Sequence, residues 1–267
     1  MKYDCGFEIP NKIQKIIGNK KYDIDNVGMS GSSVYMFEDK VLKIQTAGNE
    51  SENEYLMMKW LQGKLLIPEV LAYEKDDSKS YLLMSRISGA MACDDYYMKE
   101  PELLMDLLAK AIHALWEVDI ADCPSIINLD KKLEMARYNV EHDLVDMDDV
   151  QPDTFGEDGF KNPKELLEWL IENRPEEDLV LSHGDLCLPN IFFIGKEVSG
   201  FIDLGKMCVA DRYQDIALCY RSLINNFKGI YGGEAREGLD TDKFFKKLGV
   251  EPDWNKIRYY ILLDELF

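Results

Sequence analysis

The sequence predicts an α+β chain of two lobes, a small β-rich N-terminal lobe with one main helix and a larger, mostly helical C-terminal lobe. Three observations carry this. In the first third the apolar residues fall in short strand-like runs around a single helical stretch; beyond Pro101 they recur at three- and four-residue steps; and one further pair of strand-like runs interrupts the helical part at 191–202. The two patterns meet at Arg86-Ile87-Ser88-Gly89, which sets the expected lobes at 1–87 and 88–267.

Each element has a local cause. The runs 34–37 and 41–44 flank Glu38-Asp39-Lys40 and read as a hairpin. Residues 51–61 are helical in pattern, with Ser51 as the expected N-cap. Tyr81-Leu82-Leu83-Met84 is a buried-type strand leading into the lobe boundary. Pro101 opens a helix whose stripe of Leu103, Leu104, Leu107, Leu108, Ala111, Ile112 and Leu115 belongs in a core. Further helices are expected at 129–143, 163–173, 211–226, 241–248 and from 252 to the end. Residues 146–158, with Asp146, Asp148, Asp149, Asp153, Glu157 and Asp158, read as an acidic loop.

Composition narrows the function. The chain has 267 residues, 46% hydrophobic and 30% charged, which is enough to bury a full core. Fifty acidic against thirty-one basic residues leave a formal charge of −19, which argues against a nucleic-acid partner and for a cationic one. No apolar run approaches signal-peptide or membrane-helix length, so no membrane partner is expected. The six cysteines include no C-x-x-C pair, which implies neither a zinc site nor a disulfide framework; a reducing cytoplasm is the expected setting.

The densest chemistry lies between Leu181 and Gly205. His183-Gly184-Asp185 is followed by Asn190, and the runs 191–194 and 198–202 form a hairpin around Gly195-Lys196-Glu197 that ends at Asp203-Leu204-Gly205. A hairpin returns the chain to its start, so Asn190 and Asp203 are expected side by side, close enough to share one divalent ion. Asp185, one loop earlier, faces an incoming hydroxyl. The spacing resembles that of protein kinases, in which a catalytic Asp lies five residues before a metal-binding Asn and a second Asp precedes a Gly.

The same template gives meaning to the N-terminal part. Lys43, on the second strand of the first hairpin, stands where a lysine pairs nucleotide phosphates, and Glu54 is the candidate acid that orients it. Ser51-x-x-Glu54 is also a capping box, which would turn Glu54 back toward Ser51, and Glu50 and Glu52 compete for the same role. Gly28-Met29-Ser30-Gly31-Ser32-Ser33 would bend over the phosphates through backbone N–H groups, with Met29 and Ser30 at its tip. Val41 and Met84 would flank an adenine, whose edge would be read by the backbone from Ser85 to Ile87.

Together these motifs resemble the aminoglycoside 3'-phosphotransferases, whose fold is protein-kinase-like. The stretches 28–30, 65–70, 119–124, 175–190, 200–205, 210–222 and 259–267 all look like their family counterparts, so the likeness covers nearly the whole chain. The resemblance implies transfer of the γ-phosphoryl group of ATP, with GTP left open, to the 3'-hydroxyl of an aminoglycoside, conferring resistance. It implies Asp185 as proton acceptor, Asn190 and Asp203 as Mg²⁺ ligands, Lys43 with Glu54 as the phosphate-orienting pair, and His183 as a buried structural residue. Asp215 and Arg221 resemble positions that brace the catalytic loop. Val41 departs from relatives with a stacking aromatic, Leu188-Pro189 from a more polar pair, and Lys206 from a frequent Arg.

The substrate side follows from charge. Aminoglycosides are polycations, and the resemblance puts Asp264, Glu265 and Phe267, with the terminal carboxylate, against the antibiotic. Carboxylates at a helix C-terminus oppose the helix dipole at a cost of about 0.3–1 kcal/mol each, so a compensating cation is expected there. The acidic loop, with Asp153, Glu157 and Asp158, is expected at the same ligand without assignment residue by residue. Two rivals stay open: a kinase of the same fold acting on choline, a macrolide or a sugar, and a non-catalytic module that binds nucleotide or polycation. Monomer or dimer is not decided by sequence.

Overall fold

The computed structural model describes residues 9–18, 20–25, 32–148, 150–156 and 159–267. Five strands form an antiparallel N-terminal sheet: β1 (Asp23–Asp25), β2 (Ser33–Met36), β3 (Lys40–Thr46), β4 (Val70–Lys75) and β5 (Lys79–Ser85), in the order β1-β2-β3-β5-β4. The expected hairpin is β2–β3, paired from Ser33 with Ile44 to Met36 with Val41. Strand parity then sorts the side chains. Leu42 and Ile44 of β3 and Tyr81 and Leu83 of β5 pack with Ile13 and Ile17 of α1 (Asn11–Ile17), a short helix that sequence reading omitted. Leu82 and Met84 point the other way and join Met57, Met58 and Leu61 of α2 (Asn49–Leu61). Lys43, out of phase with Leu42 and Ile44, is thereby directed to the α2 side.

Helix α2 begins two residues before Ser51, which corrects the expected cap. Ser51 sits in the first turn, where its hydroxyl accepts from the Gly48 N–H at 3.0 Å and donates to the Gly48 carbonyl at 2.9 Å. A serine hydroxyl can satisfy an orphan donor from inside the first turn as well as from the cap.

The C-terminal part is mostly helical, as expected: α3 (Asp95–Met98), α4 (Pro101–Trp116), α5 (Leu129–Glu141), α6 (Pro163–Glu172), α7 (Arg212–Phe227), α8 (Thr241–Leu248) and α9 (Trp254–Asp264). The α4 stripe is buried from Leu104 to Leu115, and each fully buried Leu there contributes about 1.5–3 kcal/mol. Asp211 caps α7 by accepting from the Tyr213 N–H at 2.7 Å. Two small antiparallel pairings complete the frame. Strand β7 (Leu179–Ser182) pairs with β10 (Cys208–Asp211), while β8 (Ile191–Ile194) lies between β6 (Ala90–Met91) and β9 (Glu197–Phe201).

The connection between the two parts runs through Gly89, at φ +109°, where a Cβ would lie 2.3 Å from the Phe193 carbonyl oxygen. Only glycine lets the chain cross so close to β8. Among the described residues no disulfide forms, and no helix is long and apolar enough to cross a membrane.

Candidate active site

The site is built on three turns. The first follows β7. Asp215, fully buried in α7, accepts from the His183 N–H at 2.7 Å, the Gly184 N–H at 3.1 Å and the Ser182 hydroxyl at 2.9 Å, so this loop is pinned from behind. Burial pushes the Asp215 carboxyl up, against the pull of His183 and these donors. Gly184, at φ +83°, passes so close to Lys206 that a Cβ would sit 2.1 Å from its carbonyl oxygen. His183 is wholly buried with Nε2 2.9 Å from the Ile202 carbonyl oxygen, the structural role expected of it.

The second turn carries Asp185 to Asn190. Asn190 Nδ2 donates to the Asp185 carbonyl at 2.9 Å and to Asp185 Oδ2 at 3.2 Å, which leaves the side-chain oxygen Oδ1 as the other end of that amide. The third turn holds Asp203 and is tied to the second by the Ile202 N–H, which donates to the Asn190 backbone carbonyl at 3.0 Å. The hairpin β8–β9 therefore closes as expected, with Asn190 and Asp203 at its open end. Asp203 is one of two non-glycine residues at positive φ among those described, at +59°. An Asp tolerates that conformation only at a cost, and such strain collects at functional sites.

Lys43 joins this loop to the N-terminal sheet. Its Nζ lies 3.0 and 3.2 Å from the two carboxylate oxygens of Glu54 and 2.8 Å from Asp203 Oδ1. Glu54 faces Lys43, which decides between the two readings of Ser51-x-x-Glu54. Burial alone would lower the Lys43 ammonium, but the charges of Glu54 and Asp203 overcome it and leave it raised. Burial would likewise raise the Asp203 carboxyl, and Lys43 overrides it, leaving it lowered. Two residues outside the expected set complete the arrangement. Gln45 donates to Glu54 at 3.0 Å, and Asn53 donates to the Gly205 and Met207 carbonyls at 2.8 and 2.9 Å, fastening α2 to the Asp203 turn. Gln45 lies two residues beyond Lys43 and so on the same strand face, a signal that period-two reading of β3 would have found.

The expected nucleotide-flanking residues are only partly free. Val41 pairs in register with Met84 and packs against the larger core, which includes Met84. Ser85 spends its N–H inside the protein: it donates to the Glu69 carbonyl at 2.9 Å and its hydroxyl accepts from the Glu69 N–H at 2.8 Å, so that N–H is unavailable to a ligand. The Arg86 N–H is taken by the Asp39 carbonyl at 3.1 Å. Of the backbone N–H groups from Ser85 to Ile87, Ile87 alone has no acceptor among the described residues. Met29, Ser30, Glu157 and Asp158 lie outside the described residues.

The C-terminal carboxylates bring a second correction. The cation that compensates them is internal: Arg221 of α7 donates to Asp264 at 2.5 Å and to Glu265 at 3.3 Å. Arg221 thus braces the Asp264–Glu265 segment instead of the catalytic loop. Glu265 is buried and also accepts from the Gln151 N–H at 2.6 Å, so it anchors the acidic loop and does not present an open carboxylate. Burial pushes the Glu265 carboxyl up, opposed by Gln151 and Arg221. Asp153 is exposed in that loop, two residues beyond Gln151. Phe267 is half-buried, with the Lys132 ammonium 4.5 Å from its ring centre. Lys206, half-buried, lies in the combined field of Asp264, Asp185, Glu50 and Asp203, which raises it against the effect of burial.

Chemically, the arrangement offers a buried cation directed at anionic groups, two oxygen donors at one hairpin mouth and a carboxylate beside them. Among the described residues no three His, Cys, Asp or Glu side chains converge as a metal cage. The donor set of Asn190 and Asp203 instead suits Mg²⁺, which binds through one or two protein oxygens and completes its shell with water and substrate phosphate.

Comparison with known proteins agrees with this chemistry. The profile of the phosphotransferase enzyme family matches residues 27–260. An aminoglycoside 3'-phosphotransferase of Enterococcus faecalis is 40% identical over 97% of this chain and 98% of its own length. A protein of the same name from Staphylococcus aureus is 39% identical over 97% and 98%. The structure of an aminoglycoside phosphotransferase from Streptomyces rimosus, in complex with ADP and streptomycin, matches with a TM-score of 0.75 at 25% identity, covering 95% of each chain.

Proposed function

The chain belongs to the phosphotransferase enzyme family, and from that premise we propose that it moves the γ-phosphoryl group of ATP to the 3'-hydroxyl of aminoglycoside antibiotics, conferring resistance. The observation that carries this reading is the continuous linkage Glu54–Lys43–Asp203, beside Asn190 and Asp185, at the junction of sheet and helical part. Relatives at 40% and 39% identity named for that reaction support the acceptor.

Residues 1–87 form the nucleotide-binding lobe and residues 88–267 the lobe that carries the catalytic loop and the antibiotic. Lys43, oriented by Glu54, meets the nucleotide phosphates by exchanging Asp203 for a phosphate oxygen. The Ile87 N–H reads the adenine edge, with Val41 and Met84 beside the base, and Met29 and Ser30 contribute to phosphate binding. Asn190, through its side-chain Oδ1, and Asp203 would hold Mg²⁺, which when bound would supply neutralisation of charge on the phosphate oxygens.

Asp185 orients the acceptor hydroxyl. As its oxygen bonds to the γ-phosphorus, the bond from that phosphorus to the bridging oxygen breaks, the electron pair leaves with ADP, and the hydroxyl proton passes to the Asp185 carboxylate. Little covalent work falls to the protein, since a loose transition state mainly needs in-line placement and charge neutralisation. The amino groups of the antibiotic face Asp264 and Asp153, with Phe267 against its rings. Glu265 holds that wall in place through Arg221 and Gln151.

The test is ADP production with a panel of aminoglycosides that includes one lacking the 3'-hydroxyl. Turnover with the others and none with that one is the expected result. Turnover with choline, a macrolide or a sugar in their place would move the acceptor to another class.

A further inference from the structure

Cys187 sits two residues beyond Asp185 with its Sγ 3.1 Å from Asp185 Oδ1. The other carboxylate oxygen, Oδ2, accepts from Asn190 Nδ2 at 3.2 Å. Each oxygen of Asp185 thus has its own side-chain donor, both supplied by the same short turn. The backbone that carries the thiol is fixed on both sides. The Cys187 N–H donates to the Asp185 carbonyl at 2.9 Å and its own carbonyl accepts from the Asn190 N–H at 3.0 Å. The next residue, Leu188, is fully buried and its N–H donates to the Ser222 hydroxyl at 3.0 Å.

We propose that Cys187 is a positioning residue for phosphoryl transfer, its S–H donating to Asp185 Oδ1 and holding the plane of that carboxylate toward the incoming hydroxyl. The proposal rests on the assignment of Asp185 as proton acceptor. The final torsion of an Asp side chain is broad, so a single donor at one oxygen leaves the carboxylate free to rock, whereas donors at both oxygens fix its plane. At 3.1 Å from a carboxylate oxygen, which can only accept, the thiol is the donor of that contact. Its contribution is geometric, and it takes no part in bond making.

Steady-state kinetics of the full chain with Cys187→Ala, Cys187→Ser and Asp185→Ala test this. Losing one orienting contact should lower kcat of Cys187→Ala about 10-fold while the ATP KM and the thermal midpoint stay at wild-type values. Cys187→Ser keeps a donor and should return kcat to within about threefold of wild type. A Cys187→Ala enzyme with wild-type kcat, or a serine variant as slow as the alanine one, overturns the proposal. If Asp185→Ala itself keeps turnover, the assignment beneath it fails; if Asp185→Ala is inactive while Cys187→Ala is normal, only the role of Cys187 fails. Should the cysteine variants misfold, the infrared S–H band decides. The difference spectrum between wild type and Asp185→Ala should show one thiol band moving to higher frequency, and the absence of such a shift overturns the proposal.

Discussion

Two clusters in this molecule have the same composition, one cation between two carboxylates, and the proposed function sets them against opposite kinds of ligand. In the first, Lys43 lies between Glu54, whose side chain is 2% exposed, and Asp203, at 38%. In the second, Arg221 lies between Glu265, also 2% exposed, and Asp264, at 23%. Each cation is fixed by a buried acid and shared with a more exposed one. In the proposed function the difference lies in which partner a ligand would replace: a phosphate would take the place of Asp203 on Lys43, whereas an ammonium would compete with Arg221 for Asp264. A buried acid with its cation is therefore scaffolding in both places, and the exposed acid is the part that can change partners.

Asp185 lies outside both clusters, which gives the sharpest way to test the comparison. Asp185→Ala should reduce kcat by about 10²–10⁴-fold while ATP and aminoglycoside still bind, as read by isothermal titration. Loss of either binding would show that Asp185 belongs to one of the clusters.

Removing Lys43 comes next in size. Lys43→Ala leaves Glu54 buried without its cation, and losing one partner of a buried pair costs about 3–5 kcal/mol in urea unfolding. The ATP KM should rise more than the aminoglycoside KM. Arg221→Ala should show the reverse selectivity, a larger rise in the aminoglycoside KM, with a stability loss of about 3 kcal/mol because Glu265 loses its cation. Adding Glu265→Gln should return part of that stability. Equal effects of the two cation variants on both substrates would erase the distinction between the clusters.

The smallest effect is one of pH. Asp203 is held below its ordinary value of 3.8, so in the unfolded chain it takes up a proton at higher pH than in the folded one. Its contribution to stability is complete above 3.8 and is lost as pH falls through the lower folded-state value. Unfolding free energy measured from pH 5 downward should therefore fall less steeply for Asp203→Asn than for wild type. An identical slope would detach Asp203 from Lys43.

Much of the architecture was legible because it is written in local periodicity. The helix at 241–248 matches its expected limits, and the stripe from Leu104 to Leu115 is buried as three- and four-residue spacing requires. Elements with weak local signals were missed. Helix α1 is a seven-residue segment with only Ile13 and Ile17 buried, and β7 and β10 are four-residue strands that pair across a gap filled by the whole catalytic hairpin. The start of α2 shifted because Ser51 satisfies the helix end from inside its first turn.

By itself the sequence determined the order Asp185, Asn190, Asp203 and the hairpin that returns the third to the second, since a turn and two β-rich runs act over a few residues. It also determined that Lys43 stands out of phase with Leu42 and Ile44 and so leaves the apolar face of β3. Only tertiary structure decided that Glu54 turns to Lys43 and not to Ser51, that the Ser85 N–H is spent on Glu69, and that Arg221 already occupies the C-terminal carboxylates. Those choices join groups 11 to 44 residues apart, and partner selection over such separations is made by packing, which brings together side chains that local spacing cannot rank.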